Sequence, residues 1–321
     1  MCTAVSFISD NCYFGRNLDY EYSFNEKVII IPRNFSFEYK KEKIISSHYA
    51  IMGMGIIEDE YPLMFDCMNE HGLAFAGLNF PENAVYRNFF EGKINLTPYE
   101  LPLWILGNFK CVNEIKYVLK RINLLNLPFS DKFSLTPLHF VFADKNEMLV
   151  YEFTEDGGNI YINNTGVLTN NPVFPVMINE LNKYTGLSVK NPCCDFMNIL
   201  CESNGMGAIG LPGDLSSRSR FIRATFNLAN IYKEKDNIKD VTQFFHLLNS
   251  VYQQKGCVIT ESNGLEKTIY SSCMNLDKRE LYYTTYENSQ ITCIMMKEKL
   301  LKGNELISYP LMREQNVLFG N

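Results

Sequence analysis

Short apolar or loosely alternating runs fill the first part of the chain, as is typical of β-strands that are buried on one or both faces. They lie at residues 3–8, 13–18, 28–31, 63–68 and 73–78. The last two flank Asn69-Glu70-His71-Gly72, whose residue types favour a tight turn. We therefore predict a strand-rich first part with a hairpin over residues 63–78.

Helical spacing follows. Thr97 before Pro98 predicts a helix start, with the helix running to about Phe109 and residues 113–122 continuing it. Further strands are predicted at 139–143, 148–153, 159–162, 267–271, 281–286 and 291–296, and further helices at 217–232 and 240–252. Blocks of strands alternating with blocks of helices predict an α+β fold, with two stacked sheets that carry helices on their outer faces. We expect residues 2–321 to form a single domain.

Composition and charge narrow the class of protein. The 321 residues are 46% hydrophobic, which excludes a disordered chain. No apolar run is long enough for a bilayer and the first residues lack the basic segment of a secretory signal, so we expect a cytoplasmic protein with no membrane partner. A net charge of −6 argues against nucleic acid as a partner, because phosphate binding needs clustered cations.

Neither a metal site nor a cofactor is expected. The ten cysteines contain no C-x-x-C pair, and the four histidines are far apart in the sequence. Gly205-Met206-Gly207-Ala208-Ile209-Gly210 matches G-x-G-x-x-G, but Leu211-Pro212-Gly213-Asp214 follows at once, so no helix can begin where a pyrophosphate would bind. We interpret this motif as a loop, and an oxidoreductase built on it is the weakest alternative.

Cys2 is the first candidate for catalysis. Removal of Met1, which we expect, would leave a thiol and a free α-amine on one residue. Their reference pKa values are about 8.5 and about 8, so the amine can act as the base that activates the thiol. A cysteine that simply begins an edge strand is the alternative interpretation.

Arg16 and Asp19 strengthen the catalytic interpretation. If residues 3–8 and 13–18 pair as a hairpin, both side chains return to the start of the chain. An arginine beside Cys2 would favour the thiolate, and a carboxylate could hold the terminal ammonium. An exposed Arg–Asp pair at a strand end is the alternative and would contribute little energy.

Six blocks in register carry a resemblance to the choloylglycine hydrolase family, and within it to the bile salt hydrolases. They are Met1-Cys2-Thr3, Gly15-Arg16-Asn17-Leu18-Asp19, Gly77-Leu78-Asn79-Phe80-Pro81, Leu168-Thr169-Asn170-Asn171-Pro172, Gly210-Leu211-Pro212-Gly213-Asp214 and Ser219-Arg220-Phe221. The resemblance implies an Ntn-hydrolase αββα sandwich, no cofactor and a homotetramer. It implies that Cys2 is the nucleophile, with Arg16 and Asp19 beside it.

The same resemblance implies roles for three further residues. Asn79 and Asn170 would donate hydrogen bonds around the developing oxyanion and the scissile amide, and Arg220 would hold the polar network of the site. Uncharged amide donors suit an oxyanion, and removing one such donor costs about 10²–10³ in rate. Taken alone, the two asparagines also fit ordinary turns, and Arg220 also fits a solvated helix start.

By family position, Leu18, Phe129, Phe133 and Leu138 would line an apolar pocket for the acyl group; the alternative is that they fill the core. Two segments depart from the family pattern. Acidic residues occur at 58–60, where the pocket loop is generally more apolar, and the 188–204 stretch, with Cys193, Cys194 and Cys201, has no counterpart.

The sequence thus predicts an N-terminal-cysteine amidase that hydrolyses glycine- or taurine-conjugated bile salts to bile acid and amino acid. A penicillin V acylase or an acyl homoserine lactone acylase on the same fold is the nearest alternative. The asparagine at position 79 favours the bile salt branch, since related penicillin V acylases typically carry tyrosine there. A non-catalytic binding protein is the alternative from another class, and the complete set of site residues argues against it.

Overall fold

The computed structural model describes residues 1–192 and 203–321, and the cysteines of the 193–201 stretch lie outside these ranges. Within them, the strands are β1 (Cys2–Ile8), β2 (Cys12–Tyr20), β3 (Lys27–Ile31), β4 (Ile51–Glu58), β5 (Tyr61–Asn69), β6 (Ala74–Asn79), β7 (Ile94–Leu96), β8 (Ile122–Leu124), β9 (Leu138–Ala143), β10 (Met148–Thr154), β11 (Gly157–Ile162), β12 (Val167–Leu168), β13 (Val258–Ile259), β14 (Leu265–Asn275), β15 (Glu280–Thr285), β16 (Thr292–Met295) and β17 (Ile307–Pro310). The helices are α1 (Leu101–Asn108), α2 (Val112–Leu119), α3 (Phe174–Glu180), α4 (Ser217–Asn230) and α5 (Asn237–Asn249).

Two antiparallel sheets form the centre of the fold. The first has the strand order β12-β1-β2-β14-β15-β16, with β13 added to β14. The second has the order β11-β10-β9-β6-β5-β4-β3-β17, and β7 and β8 form a separate short parallel pair. The predicted hairpin over β5 and β6 is present, with Cys67 opposite Phe75.

The second sheet is buried on both faces, and β3 shows why its sequence is continuously apolar. Val28 and Ile30 belong to the core that includes the first sheet, whereas Ile29 and Ile31 belong to the core that includes α1 and α2. Successive side chains of a strand point to opposite faces, so an element covered on both sides needs apolar residues at every position.

Helices cover the outer face of each sheet. Helices α4 and α5 pack on β1, β2 and β14 of the first sheet, and α1 and α2 pack on strands of the second sheet. The arrangement is the predicted αββα sandwich. None of the helices among the described residues is both long enough and apolar enough to cross a bilayer.

Three predicted helix spans need correction. The helix predicted over 240–252 lies at Asn237–Asn249, because the Asp236 side chain caps its start by accepting from the Lys239 N–H. The helix predicted from Thr97 begins at Leu101, because residues 97–100 form a turn in which the Glu100 carboxylate accepts from the Thr97 N–H at 2.8 Å. The helix predicted over 113–122 ends at Leu119, because Ile122 begins β8 and pairs with β7. The motif at 205–210 is a loop that contains a single 3₁₀ turn, and no helix begins at its last glycine.

Candidate active site

Cys2 begins β1, and two side chains from distant parts of the chain bind its backbone. It pairs with Leu18 of β2 and is 4% exposed. Its N–H donates to Asn170 Oδ1 at 2.8 Å, and its carbonyl oxygen accepts from Arg220 Nη1 at 2.5 Å. Sheet pairing and these two contacts together fix the position of the Cys2 backbone, from which the thiol projects.

Arg220 projects from the first turn of α4 and is fully buried. Nη1 also donates to Thr3 Oγ1 at 2.7 Å, Nη2 donates to Asn170 Oδ1 at 2.7 Å, and Nε donates to Leu215 O at 3.0 Å. These acceptors are neutral oxygens, and burial lowers the pKa of Arg220 below its ordinary value. Arg220 therefore joins α4 to β1 and to the loop that carries Asn170.

The side chains of Asn170 and Arg220 bring the end of β6 into the same network. Asn170 Nδ2 donates to the carbonyl oxygen of Asn79 at 2.7 Å, and the Asn170 N–H donates to Ser217 Oγ at 2.9 Å. Asn79 is half-buried at the last position of β6, opposite Leu138 of β9. The two predicted amide donors are thus neighbours, and Asn170 Nδ2 retains one hydrogen for another acceptor.

Arg16 lies in β2 and reaches from the first sheet to the second. Its Nη1 donates to Gly77 O at 2.6 Å, whereas Nη2 is buried and has no hydrogen-bond partner among the described residues. Burial alone would lower the pKa of Arg16, but nearby negative charge, with Cys2 the largest contributor, raises it above the ordinary value. In the strand register Arg16 is opposite Ala4, two residues from the Cys2–Leu18 pair, so Arg16 and Cys2 are neighbours on paired strands.

Sequence reasoning missed Asp66, which supports Arg16 from the second sheet. Asp66 is fully buried in β5, and its carboxylate accepts from the Tyr270 hydroxyl and from Ser272 Oγ, the latter at 2.7 Å. Burial raises its pKa, and the Arg16 charge opposes this. The sequence feature that could have identified Asp66 is its position as a single carboxylate within the apolar run 63–68.

Asp19 and Glu266 surround the amine end of the site. Asp19 is fully buried: Oδ1 accepts from Thr268 Oγ1 at 2.6 Å, and Oδ2 has no partner in the described part of the chain. Burial raises the pKa of Asp19, opposed by the terminal ammonium. The Met1 ammonium donates to Asp19 O at 2.8 Å and forms an ion pair with Glu266, a 5% exposed residue that sequence reasoning missed.

The structure thus places six predicted residues in one largely buried region, where β1, β2, the end of β6, the loop after β12 and the first turn of α4 meet. They are Cys2, Arg16, Asp19, Asn79, Asn170 and Arg220. Among the described residues, no group of three or more His, Cys, Asp or Glu side chains could hold a metal ion.

The four predicted pocket residues take different positions. Leu18 is opposite Cys2 and Leu138 is opposite Asn79, so both flank the cluster. Phe133 lines a cavity of about 340 Å³ with residues from 24–27 and 56–58. Phe129 packs beside Phe133 with ring centroids 6.4 Å apart, and its ring also contacts two tyrosines, so it supports the cavity wall.

Only one of the acidic residues at 58–60 lines the cavity. Glu58 does so, and its carboxylate pairs with Lys132 Nζ at 3.1 Å across the opening. Asp59 and Glu60 occupy the exposed turn between β4 and β5, where both have positive φ. Ile56 and Ile57 make the adjoining wall apolar.

The αββα sandwich with a cysteine at the start of its first strand is the architecture of N-terminal nucleophile hydrolases. Comparison with known proteins supplies the family. The model of the linear amide C–N hydrolases, choloylglycine hydrolase family, matches residues 2–309. The chain belongs to the choloylglycine hydrolase family.

Several characterised relatives are similar over nearly the whole chain. A bile salt hydrolase/transferase from Lactiplantibacillus plantarum is 47% identical, covering 98% of both chains, and one from Clostridium perfringens is 42% identical, covering 96% of both. The crystal structure of the C2A mutant of conjugated bile acid hydrolase from Clostridium perfringens superposes with a TM-score of 0.93 at 39% identity, covering 100% of both chains. Penicillin V acylase from Agrobacterium tumefaciens shares the fold, with a TM-score of 0.77 at 18% identity over 97% of this chain and 92% of that one.

Proposed function

We propose that this protein hydrolyses the amide bond of glycine- or taurine-conjugated bile salts, releasing bile acid and amino acid. The observation that carries the proposal is the position of Cys2, whose backbone is bound by Asn170 and Arg220 and whose strand partner Leu18 is two residues from Arg16 on the neighbouring strand. Relatives 47% and 42% identical are named bile salt hydrolase/transferase, which supports this substrate class.

In the proposed first step, Met1 is removed and the Cys2 α-amine takes the proton of the thiol. The Cys2 nitrogen already donates to Asn170 Oδ1 at 2.8 Å, and Asp19 and Glu266, whose carboxylates act on the Met1 ammonium in the unprocessed chain, would supply negative charge for the new ammonium. Arg16, with its free Nη2, stabilises the thiolate by charge attraction. Carboxylates on the amine side and an arginine on the sulfur side together favour the charge-separated form.

The thiolate then attacks the amide carbon, forming a C–S bond and a tetrahedral oxyanion. Asn79 and the remaining hydrogen of Asn170 Nδ2 donate to that oxygen, in the manner of an oxyanion hole. The ammonium returns its proton to the amide nitrogen, the C–N bond breaks, and the amino acid leaves. Water attacks the thioester, with its proton passing to the α-amine, and frees the bile acid and Cys2.

The acyl group is proposed to occupy the cavity of about 340 Å³ between the start of β3 and the end of β4, a volume within the usual range for small-molecule sites of about 300–1,000 Å³. Phe133, Ile56 and Ile57 would contact its apolar faces, with Phe129 behind them. Leu18 and Leu138 would contact the acyl chain near the scissile bond. The Glu58–Lys132 pair would face its hydroxyl groups.

The family resemblance also leads us to propose a cytoplasmic homotetramer. Light scattering after size exclusion should give about four times the chain mass of 37.1 kDa, and cell fractionation should recover the activity with cytoplasmic markers. A monomeric mass would contradict the first statement, and activity in the membrane or medium would contradict the second.

The decisive experiment combines intact mass with release of glycine and taurine from cholic acid conjugates, in wild type and Cys2→Ser. We expect a mass lacking Met1, turnover by the wild type and none by the variant. Cys257→Ser, which removes an exposed thiol, is the control and should retain full activity. Turnover that survives Cys2→Ser would refute the mechanism. A processed chain that hydrolyses penicillin V or an acyl homoserine lactone but neither conjugate would refute the substrate class.

A further inference from the structure

A buried histidine–glutamate pair lies beside the active site and has no part in the chemistry proposed above. His139 of β9 and Glu152 of β10 are both fully buried, on adjacent strands of the second sheet. His139 Nδ1 lies 3.2 Å from Glu152 Oε1, which also accepts from the Phe174 N–H at 2.9 Å. Burying two titratable groups is unfavourable unless they are paired and hydrogen-bonded, so their contacts need an explanation.

The other contacts of His139 lead to both amide donors. His139 Nε2 lies 2.8 Å from the carbonyl oxygen of Thr169, the residue before Asn170. Its ring stacks on Phe80, the residue after Asn79, with centroids 4.2 Å apart and planes 8° from parallel. One side chain therefore contacts the immediate neighbour of each proposed oxyanion donor.

The hydrogen-bonding roles follow from the acceptors. A carbonyl oxygen can only accept, so Nε2 carries a hydrogen and donates to Thr169 O. On the other side of the ring, Nδ1 lies within hydrogen-bond distance of Glu152 Oε1. Glu152 thereby fixes the ring orientation of His139, and through the Phe174 N–H it also holds the start of α3, which follows the Asn170 loop.

We propose that His139, oriented by Glu152, is a positioning residue that sets the separation of the Asn79 and Asn170 amides. This inference rests on the proposed function, in which those amides bind the oxyanion. Stacking fixes the Phe80 side and the hydrogen bond fixes the Thr169 side, so a single rigid ring spaces the two segments. Misplacement of a reacting group by about 1 Å can cost about 10² in rate, so spacing of this kind affects kcat.

The test compares His139→Phe with His139→Gln. Phenylalanine keeps a ring against Phe80 but cannot donate to Thr169 O, whereas glutamine restores a donor at the distance of Nε2. We expect His139→Phe to lower kcat for the glycine conjugate about 10–100-fold with KM changed less than about threefold. Glutamine should recover at least about fivefold of the loss. The rate at which iodoacetamide alkylates Cys2 should stay within about threefold of wild type, because His139 does not contact Cys2 or Arg16.

His48 provides the matched control. It is also buried, stacks on Phe37 with centroids 4.1 Å apart, and places both ring nitrogens against backbone carbonyls, of Tyr49 at 2.7 Å and Phe35 at 2.9 Å. His48→Phe removes the same kinds of contact away from the two amides. It should lower the melting temperature by a similar amount and leave kcat unchanged.

If His139→Phe fails to fold, Glu152→Gln gives the same test. In Glu152→Gln, the glutamine oxygen accepts from the Phe174 N–H, and His139 Nδ1 must carry a hydrogen to bond the same oxygen. Nε2 of the neutral ring then has no hydrogen to donate to Thr169 O, so kcat should again fall while the alkylation rate stays normal. A kcat equal to wild type in these variants would overturn the proposal, as would a loss of alkylation that parallels the loss of kcat. If the wild type itself hydrolysed no conjugate, the substrate assignment would fail, and the same kcat comparison made with penicillin V would decide the positioning role. Turnover of neither amide would overturn both proposals.

Discussion

Arg220→Lys tests how far a planar guanidinium organises the N-terminal strand. Arg220 donates hydrogen bonds to four oxygens on three segments, those of Cys2 and Thr3 in β1, of Asn170 and of Leu215. A lysine ammonium keeps the charge but lacks the fork geometry, and from one point it reaches about two of those oxygens. The substitution therefore removes connections between segments while conserving net charge.

The magnitude follows from the contacts. Hydrogen bonds with a charged partner contribute about 1.5 kcal/mol each at the lower end of their range, so losing two of them should lower the free energy of unfolding by about 3 kcal/mol. One lost contact is the bond that orients Asn170 Oδ1, so we also expect kcat to fall about 10–100-fold.

Urea unfolding followed by circular dichroism at pH 7, together with steady-state hydrolysis of the glycine conjugate, measures both effects. Arg218→Lys is the matched control two residues away on α4. The Arg218 side chain is 52% exposed and donates to Glu180 Oε1 at 2.9 Å, so replacing it should change stability by less than about 0.5 kcal/mol. If Arg220→Lys behaved like Arg218→Lys in both assays, the guanidinium would not be what holds this network.

Three further substitutions test other parts of the structure. Burial raises the pKa of Glu70, but its hydrogen bonds, chiefly from Arg33, lower it overall, so its stabilisation is present at neutral pH and is lost as pH falls through the folded-state pKa. Glu70→Gln should cost about 1 kcal/mol in urea unfolding at pH 7 and less as the pH is lowered through the acidic range. A cost that stays constant with pH would contradict this. Lys132→Met breaks an exposed ion pair with Glu58, so it should leave thermal stability unchanged. It should raise KM about threefold for substrates with hydroxylated acyl groups at constant kcat. An unchanged KM would show that the pair does not contact the substrate. Gly15→Ala would place Cβ 2.0 Å from a backbone oxygen of β14. Scanning calorimetry should therefore show a melting temperature lower by about 10 °C or more. A melting temperature equal to that of the wild type would show that β2 and β14 can move apart to accept the methyl group.

Local patterns in the sequence predicted the elements whose signals are local. The first two strands and their hairpin follow from alternating apolar residues and a short turn, and this pairing is what brings Arg16 and Asp19 beside Cys2. Strand β4 was not predicted, because Gly53 and Gly55 interrupt its apolar pattern. Those glycines are needed for close strand pairing, since a Cβ at Gly53 would lie 2.2 Å from the carbonyl oxygen of Asp66.

The supporting residues of the site could not be predicted in the same way. The contact between Asp66 and Tyr270 joins residues 204 positions apart, and that between Glu266 and the amino terminus joins residues 265 positions apart. No periodicity or short motif encodes such pairings: the first exists only once the two sheets are stacked, and the second only once β14 has paired with β2 beside the chain's start. The nucleophile and its immediate neighbours lie in short motifs, so the family resemblance could identify them. Their supporting partners lie outside those motifs, so the resemblance could not.

The separation between the groups assigned to bond cleavage and the residues that line the cavity has a consequence for how the protein can change. The former lie on β1, β2 and the end of β6, in the loop after β12 and in the first turn of α4, whereas the cavity assigned to the acyl group is lined by the segment at 24–27, the last residues of β4 and the loop at 132–133. Loops tolerate insertions and substitutions far better than paired strands do. New acyl preferences can thus be introduced by exchanging the loops before β3 and around residues 132–133 while the reaction itself is inherited intact, which makes this scaffold a natural starting point for engineering amidases of altered specificity.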